Sequence, residues 1–185
     1  RLTRLEPALQ RPVTLTVEEH EGVRSLGAVP KPDRLLLPVD VVQVDLDELL
    51  SGLVNQHQGA VADLHYLADE GIPLVLGHYE ALLRSFRNLL LNALEAAGPQ
   101  GEVRIRIWSE TDAVMVEIHD SGPGIREEDL DRIFDPGFTT RSGGTGLGLA
   151  NVYACTESHN GCVQVLSEPG RGSTFRLLLP TTEAD

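Results

Sequence analysis

Residues 102–120 read EVRIRIWSE, then TD, then AVMVEIHD: two runs of alternating apolar and polar side chains, parted by a turn-like step at Thr111-Asp112. Successive side chains of a strand point to opposite faces of its sheet, so Val103, Ile105 and Ile107 fall on one face of the first run while Arg104 and Arg106 fall on the other. Val114, Val116 and Ile118 do the same in the second run, opposite Glu117 and His119. Such strands bury one face only, so the rest of the chain has to supply a single covering layer. The expected fold is α+β: a two-layer α/β sandwich, with a mixed, mostly antiparallel sheet of about five strands and three main helices on one face.

The other segments fit that plan. VVQVDL alternates like a strand, and DLDELLSGLVNQHQ puts Leu46, Leu49, Leu50, Leu53 and Val54 at helical spacing behind an acidic first turn. AVADLHYLAD alternates again, and GIPLVLG leads into a long helix expected from about Tyr79 to Ala97, stopped by Gly98-Pro99. Residues 121–146 are rich in Gly, Pro, Ser and Thr, with one short helix expected from Glu127 to Ile133. A helix from Leu147 to about His159 and the strands CVQVLSE and STFRLLLP complete the set. No internal repeat is visible.

Residues 1–38 have a different character. Leu2, Leu5, Leu9, Val23 and Leu26 lie on a heptad grid whose middle positions are Pro12, Thr16 and Glu19, a damaged helical pattern followed by a linker through KPDRLLLP. The expected division is a helical remnant of another module with its linker over 1–38, and the main domain over 39–185. The first residue is Arg1, which suggests a piece of a longer protein. The chain has 15 basic against 28 acidic residues, a net charge of -13, which argues against nucleic acid and anionic membrane as partners. Any phosphate it binds must therefore be held locally. Cys155 and Cys162 read as two free thiols, with a disulfide between them as the alternative.

The long helix carries Asn88 and Asn92, which four-residue spacing places on one face with Ser85 and Glu95, while Phe86, Leu89, Leu90, Ala93 and Ala97 face the core. A lone helical Asn more often faces solvent, but four later segments change the balance. DSGPGI, residues 120–125, sets a carboxylate at a strand end ahead of Gly122 and Gly124, giving an acceptor for an amino group and a backbone that a flat ring can approach closely. SGGTGLGLANV runs Gly143, Gly144, Gly146 and Gly148 into a helix start, where backbone N–H groups can hold phosphate. It is neither a P-loop, since no GK[ST] follows, nor a dinucleotide fingerprint. IFDPGFTT stands between these two, and GRGSTF precedes the last strand.

In that order the five segments resemble the ATP-binding catalytic domain of bacterial sensor histidine kinases, of the nitrogen-regulatory type, within the superfamily shared with gyrase, Hsp90 and MutL. The likeness runs from about Val39 to Pro180, with NLLLNALEA as the N box and DSGPGI, IFDPGFTT, GGTGLGL and GRGSTF as the boxes that follow. It implies ATP and Mg2+ as cofactors. Asp120 is expected to bond the adenine amino group with Thr174 helping through water, and Asn92 to ligate the metal with Asn88 supporting it, these two being the catalytic positions. Gly144, Gly146 and Gly148, with Leu147 and Leu149, are expected to close over the triphosphate. Ala96, Gly122, Gly124, Ile125, Phe134, Thr139, Thr140, Arg141 and Thr145 complete the implied nucleotide set.

The implied partners are an upstream phosphoacceptor helical module, a response-regulator receiver and a second copy in a full-length homodimer, and the implied location is cytoplasmic, as the cytoplasmic portion of a sensor that the resemblance leaves open to being membrane-bound. The acceptor histidine is not expected in this chain: His20 sits on the wrong helix and reads as an ordinary exposed side chain. Gly137 departs from the family pattern, which places an aromatic there and here leaves Phe134 and Phe138 to pack the lid. The position four before the metal-binding Asn carries Glu in the hydrolase branches and Asn88 here, and an amide is no general base at neutral pH. The rivals are a non-catalytic nucleotide-binding scaffold, an ATPase of the same superfamily and an anti-sigma serine kinase; Asn88 argues against the last two.

Overall fold

The computed structural model describes residues 41–61, 63–141 and 143–181. Its elements are β1 (Val42–Val44), α1 (Leu46–Gln56), β2 (Asp63–Ala68), β3 (Val75–Gly77), α2 (Tyr79–Ala97), β4 (Glu102–Glu110), β5 (Ala113–Asp120), α3 (Glu127–Leu130), α4 (Gly148–Ser158), β6 (Cys162–Glu168) and β7 (Gly172–Pro180). The main sheet has five strands in the order β2-β4-β5-β7-β6. Only β2 and β4 pair in parallel, because the chain between them crosses back through β3 and α2; the other pairs are antiparallel. The expected α+β two-layer architecture is the one observed.

The alternation of β4 and β5 sorts the faces as it should. Val103, Ile105, Ile107, Val114, Val116 and Ile118 are each at most 2% exposed and pack with Phe86, Leu89 and Leu90 of α2, Leu49 and Leu53 of α1, and Val152 of α4. Burying each such side chain contributes about 1.5–3 kcal/mol before ordering costs, so this shared layer dominates the stability. On the other face, Arg104 pairs with Glu102, Arg176 with Glu117, and the Arg106 guanidinium lies 5.0 Å from the Trp108 ring.

Local chemistry sets the helix ends. Asp45 caps α1 by accepting from the Glu48 N–H at 3.0 Å, and Gly98 ends α2 at φ 69°. His78, at the start of α2, donates its backbone N–H to His159 Nε2 at 2.9 Å, tying the start of α2 to the end of α4.

Three details differ from the sequence reading. β3 was not expected; it is three residues long, too short for a period to register, and pairs with the equally short β1 in a separate ribbon. The short helix stops at Leu130, with Ile133 beyond it in a turn. Ser85 is buried: it lies under α4, beside the Cys155 thiol, rather than open beside the asparagines. Cys155 and Cys162 are free thiols. The helical remnant and linker expected over 1–38, with His20, lie outside the described residues.

Candidate functional site

Where β5 ends and β7 begins, antiparallel pairing sets Asp120 opposite Ser173. Gly172 makes that approach possible: it sits at φ 91°, and a Cβ there would lie 1.9 Å from the Asp120 carbonyl oxygen. Asp120 is 3% exposed, and its Oδ1 accepts from the Gly122 N–H at 2.8 Å. Burial pushes its carboxyl above the usual range, while the Gly122 N–H, His119, the Ser173 N–H and Arg141 pull the other way. The result is a desolvated acceptor at a strand end, suited to a donor group on a flat ligand.

Ser173, not Thr174, shares the cleft with Asp120. Strand side chains alternate, so Thr174 points to the opposite face, where its hydroxyl bonds His119 Nδ1 at 3.0 Å. The Ser173 hydroxyl lies 3.0 Å from that of Ser167, which itself accepts from the Ile125 N–H at 2.8 Å and donates to the Gly172 carbonyl at 2.9 Å. The alternation of Phe175, Leu177 and Leu179 on the core side was the signal that could have singled out Ser173.

The opposite end is built by two helices packed side by side. α4 starts at Gly148 with no side chain capping it, so the N–H groups of its first turn have no side-chain acceptor. The Asn88 carboxamide donates to the Gly148 carbonyl at 3.3 Å and so fastens α2 to the first residue of α4. Ahead of α4, Gly146 sits at φ 66° with its Cβ position 2.3 Å from the Gly137 carbonyl carbon, and its carbonyl accepts from the Gly137 N–H at 3.0 Å. The IFDPGFTT turn and the glycine run are therefore one interlocked loop, in which Gly137 takes part through its backbone at φ 87°.

Between these ends lies a cleft of ≈ 750 Å³, a volume suited to one small-molecule ligand. Asn92, Ala96 and Asp120 line it, as do Gly124 and Ile125. So do Thr139, Thr140, Arg141, Gly144, Thr145, Gly146, Gly148 and Leu149. Five of the residues picked from sequence are not on its walls. Asn88 is engaged with α4, Gly122 lies beneath the Asp120 carboxylate, and Phe134 packs on Tyr153 with ring centres 5.6 Å apart. Leu147 turns out to solvent, and Thr174 is on the far sheet face.

The cleft also takes in residues the sequence reading left out of the site: Glu95, Pro123, Arg126, Asp129, Ile133, Phe138, Ser173 and Phe175. Asp129 is buried and accepts from Arg126 Nε at 2.8 Å, an arrangement that depends on the turn of α3 and carries no sequence signature.

Among the described residues no group of three or more His, Cys, Asp or Glu could hold a metal ion. A cation here would need one protein oxygen plus oxygens of the ligand and water, a set Mg2+ accepts. Asn92 fits: its Oδ1 faces the cleft and accepts from the cationic Arg141 Nη1 at 3.0 Å.

Comparison with known proteins agrees with this geometry. Residues 77–183 match the family model of the histidine kinase-, DNA gyrase B-, and HSP90-like ATPases. The chain is 38% identical over 162 residues to the sensor histidine kinase ZraS of Escherichia coli K12, covering 85% of this chain and 34% of that protein. It is 39% identical over 175 residues to the sensory histidine kinase/phosphatase NtrB of Rhodobacter capsulatus, covering 86% and 47%. It thus spans about a third to a half of the length of these relatives. Among solved structures, the nucleotide-free catalytic domain of histidine kinase ThkA superposes with TM-score 0.70 at 27% identity, over 77% of this chain and 97% of that one. The mycobacterial sensor histidine kinase MprB gives 0.67 at 26%, over 76% and 97%. A buried carboxylate facing an uncapped helix start across one cleft, on this sheet order and with these relatives, makes the chain a member of the histidine kinase-, DNA gyrase B-, and HSP90-like ATPase family.

Proposed function

We propose that this chain binds Mg-ATP in the cleft and that the protein it belongs to is a histidine kinase, passing the γ-phosphoryl group to a histidine on an upstream helical module. From there a response-regulator receiver would take it on an aspartate. The observation that carries the reading is the polarity of the cleft: a buried acceptor, Asp120, at one end and the free N–H groups of α4 with Asn92 at the other. Adenine and triphosphate are the two halves of one molecule that answers both ends, with the amino group toward Asp120 and the phosphates toward Gly148. Ser173, in place of Thr174, is the hydroxyl that can assist Asp120.

Asn92 would hold the metal, which would supply positive charge to neutralise the phosphates. Asn88 has a different part: by bonding the Gly148 carbonyl it fixes how far the phosphate-facing start of α4 stands from Asn92. No carboxylate occupies position 88, and Glu95, three residues beyond Asn92 on α2, is engaged by Arg141 at 2.7 Å in the nucleotide-free protein. An amide at position 88, where a general base would otherwise stand, supports delivery of phosphoryl to a histidine, whose neutral imidazole needs alignment more than deprotonation. Among the described residues no helix is long and apolar enough to cross a membrane. The function we propose belongs to the cytoplasm, where ATP and a receiver are both available, and to a dimer through the upstream module.

A calorimetric titration with a non-hydrolysable ATP analogue, with and without Mg2+, tests the binding step. Binding that strengthens with Mg2+ and weakens for GTP analogues is expected; no binding in either condition, in this chain and in the full-length protein, overturns it. The transfer step is tested by incubating the full-length protein with ATP and looking for acid-labile phosphohistidine.

A further inference from the structure

Arg141 holds an unusual place for a residue of the implied nucleotide set. Its Nη1 donates both to Asn92 Oδ1, at 3.0 Å, and to Glu95 Oε2, at 2.7 Å, while its Nη2 donates to the Asn92 backbone carbonyl at 3.1 Å. One guanidinium thus takes the carboxamide oxygen proposed for the metal, a carboxylate one turn further along α2, and a main-chain oxygen between them. The loop is set for this: the Arg141 N–H donates to the Thr139 hydroxyl at 3.1 Å, and the Arg141 carbonyl accepts from the Gly144 N–H at 3.3 Å.

We propose that Arg141 and Glu95 form a latch in which the guanidinium substitutes for the divalent cation on Asn92, holding the loop down on α2 until Mg-ATP replaces it. The proposal rests on the nucleotide reading of the cleft. Asn92 Oδ1 cannot serve the guanidinium and a metal ion at full strength together, so loading exchanges one cation for another on one oxygen. The released Arg141 keeps a partner, since a triphosphate offers the anionic oxygens a guanidinium pairs with best. Glu95 is the element that makes the exchange reversible. In a chain of net charge -13, a free carboxylate on the wall of a triphosphate site is a liability. Paired with Arg141 it is neutralised in the empty protein, and it competes with phosphate for the same guanidinium in the loaded one. Glu95 therefore acts as a positioning residue that weakens nucleotide binding and shortens its residence.

Hydrogen exchange on the nucleotide-free protein tests the latch with no ligand present. Arg141→Met and Glu95→Gln are each expected to speed amide exchange across residues 137–147 by about two- to fivefold, the scale of a partly exposed ion pair, with α2 and β5 unchanged. Unchanged exchange in both variants overturns the latch. Calorimetry with Mg and the non-hydrolysable analogue supplies the second arm. Glu95→Gln is expected to tighten binding about two- to fivefold when Arg141 is present, and by clearly less in an Arg141→Met background. Equal gains in both backgrounds mean that Glu95 acts by plain charge repulsion, and overturn the proposal. If no nucleotide bound to any variant while exchange still rose, the nucleotide reading would fall and the Arg141 clasp on α2 would stand, so the two failures are separable.

Discussion

At its Asp120 end the cleft is walled by two paired strands, and at its Arg141 end by a loop resting on an exposed part of a helix. Asp120 is 3% exposed, its N–H donor comes from the next turn, and the same-face residues two positions along, Ile118 on β5 and Phe175 on β7, are core residues. Arg141 is bound to Asn92 and Glu95 through side chains that solvent reaches. A polar contact made inside a paired sheet cannot be exchanged without disturbing the core, whereas one made by a long side chain on a loop can be given up for a better partner. The base end is thus built for selection and the phosphate end for exchange.

The comparison can be broken most forcefully from beneath the base end. Ile118→Ala, on the covered face of β5 two residues before Asp120, should cost about 2–5 kcal/mol in urea unfolding, because it leaves a cavity in the layer shared with α2. A loss below about 1 kcal/mol would mean the base end is far softer than its burial implies. Asp120→Asn sharpens the same contrast without removing packing. It should weaken binding of the ATP analogue by about 1.5–3 kcal/mol in calorimetry, the worth of a hydrogen bond to a charged group, with little loss of fold stability, since burial disfavours the carboxylate already. A collapse of the thermal transition in that variant would assign Asp120 to the scaffold instead.

A pH effect should appear at the seam joining α2 and α4. Burial pushes the His159 imidazole below its usual range, with His78 adding to the fall and the Cys155 carbonyl opposing it. In the folded chain Nε2 accepts from the His78 N–H and Nδ1 donates to the Cys155 carbonyl at 2.7 Å, so the neutral ring is the one that fits. The unfolded chain takes up this proton first. His159 therefore contributes its full stability above about pH 6.5, and that contribution is lost as pH falls from there through the lowered folded value. Urea midpoints at pH 7.5 and 5.5 should show the decline, and His159→Gln should flatten it. An unchanged slope in that variant would assign the acid sensitivity elsewhere. The smallest effect is expected at the rim: Arg171→Ala removes an exposed pair with Glu168 and should change stability by about 0–1 kcal/mol by the same urea assay.

Regular elements were legible because their periods are long enough to read. The limits of α2 at Tyr79 and Ala97, the alternation of β4 and β5, and the covered face of the sheet all follow from apolar spacing and from Gly98-Pro99. The polar pair on α2 was legible too, although Ser85, on the same stripe, is buried under α4 because helix packing decides how much of a face stays open. Thr174 was misplaced by one residue, and one residue in a strand is the difference between the cleft and the opposite face.

What the sequence alone determined is the set of short-range choices: which residues turn toward the core, where the helices stop, and which glycines free the backbone at the ends of β5 and at the start of α4. What only the tertiary structure decided is which groups meet across 46 to 81 positions of chain, as Asn88 meets Gly148, Arg141 meets Asn92 and Glu95, and His159 meets His78. The physical reason is range. Periodicity and turn chemistry act over a few residues, whereas these contacts exist only because the sheet order brings α2, α4 and the loop before it onto one surface.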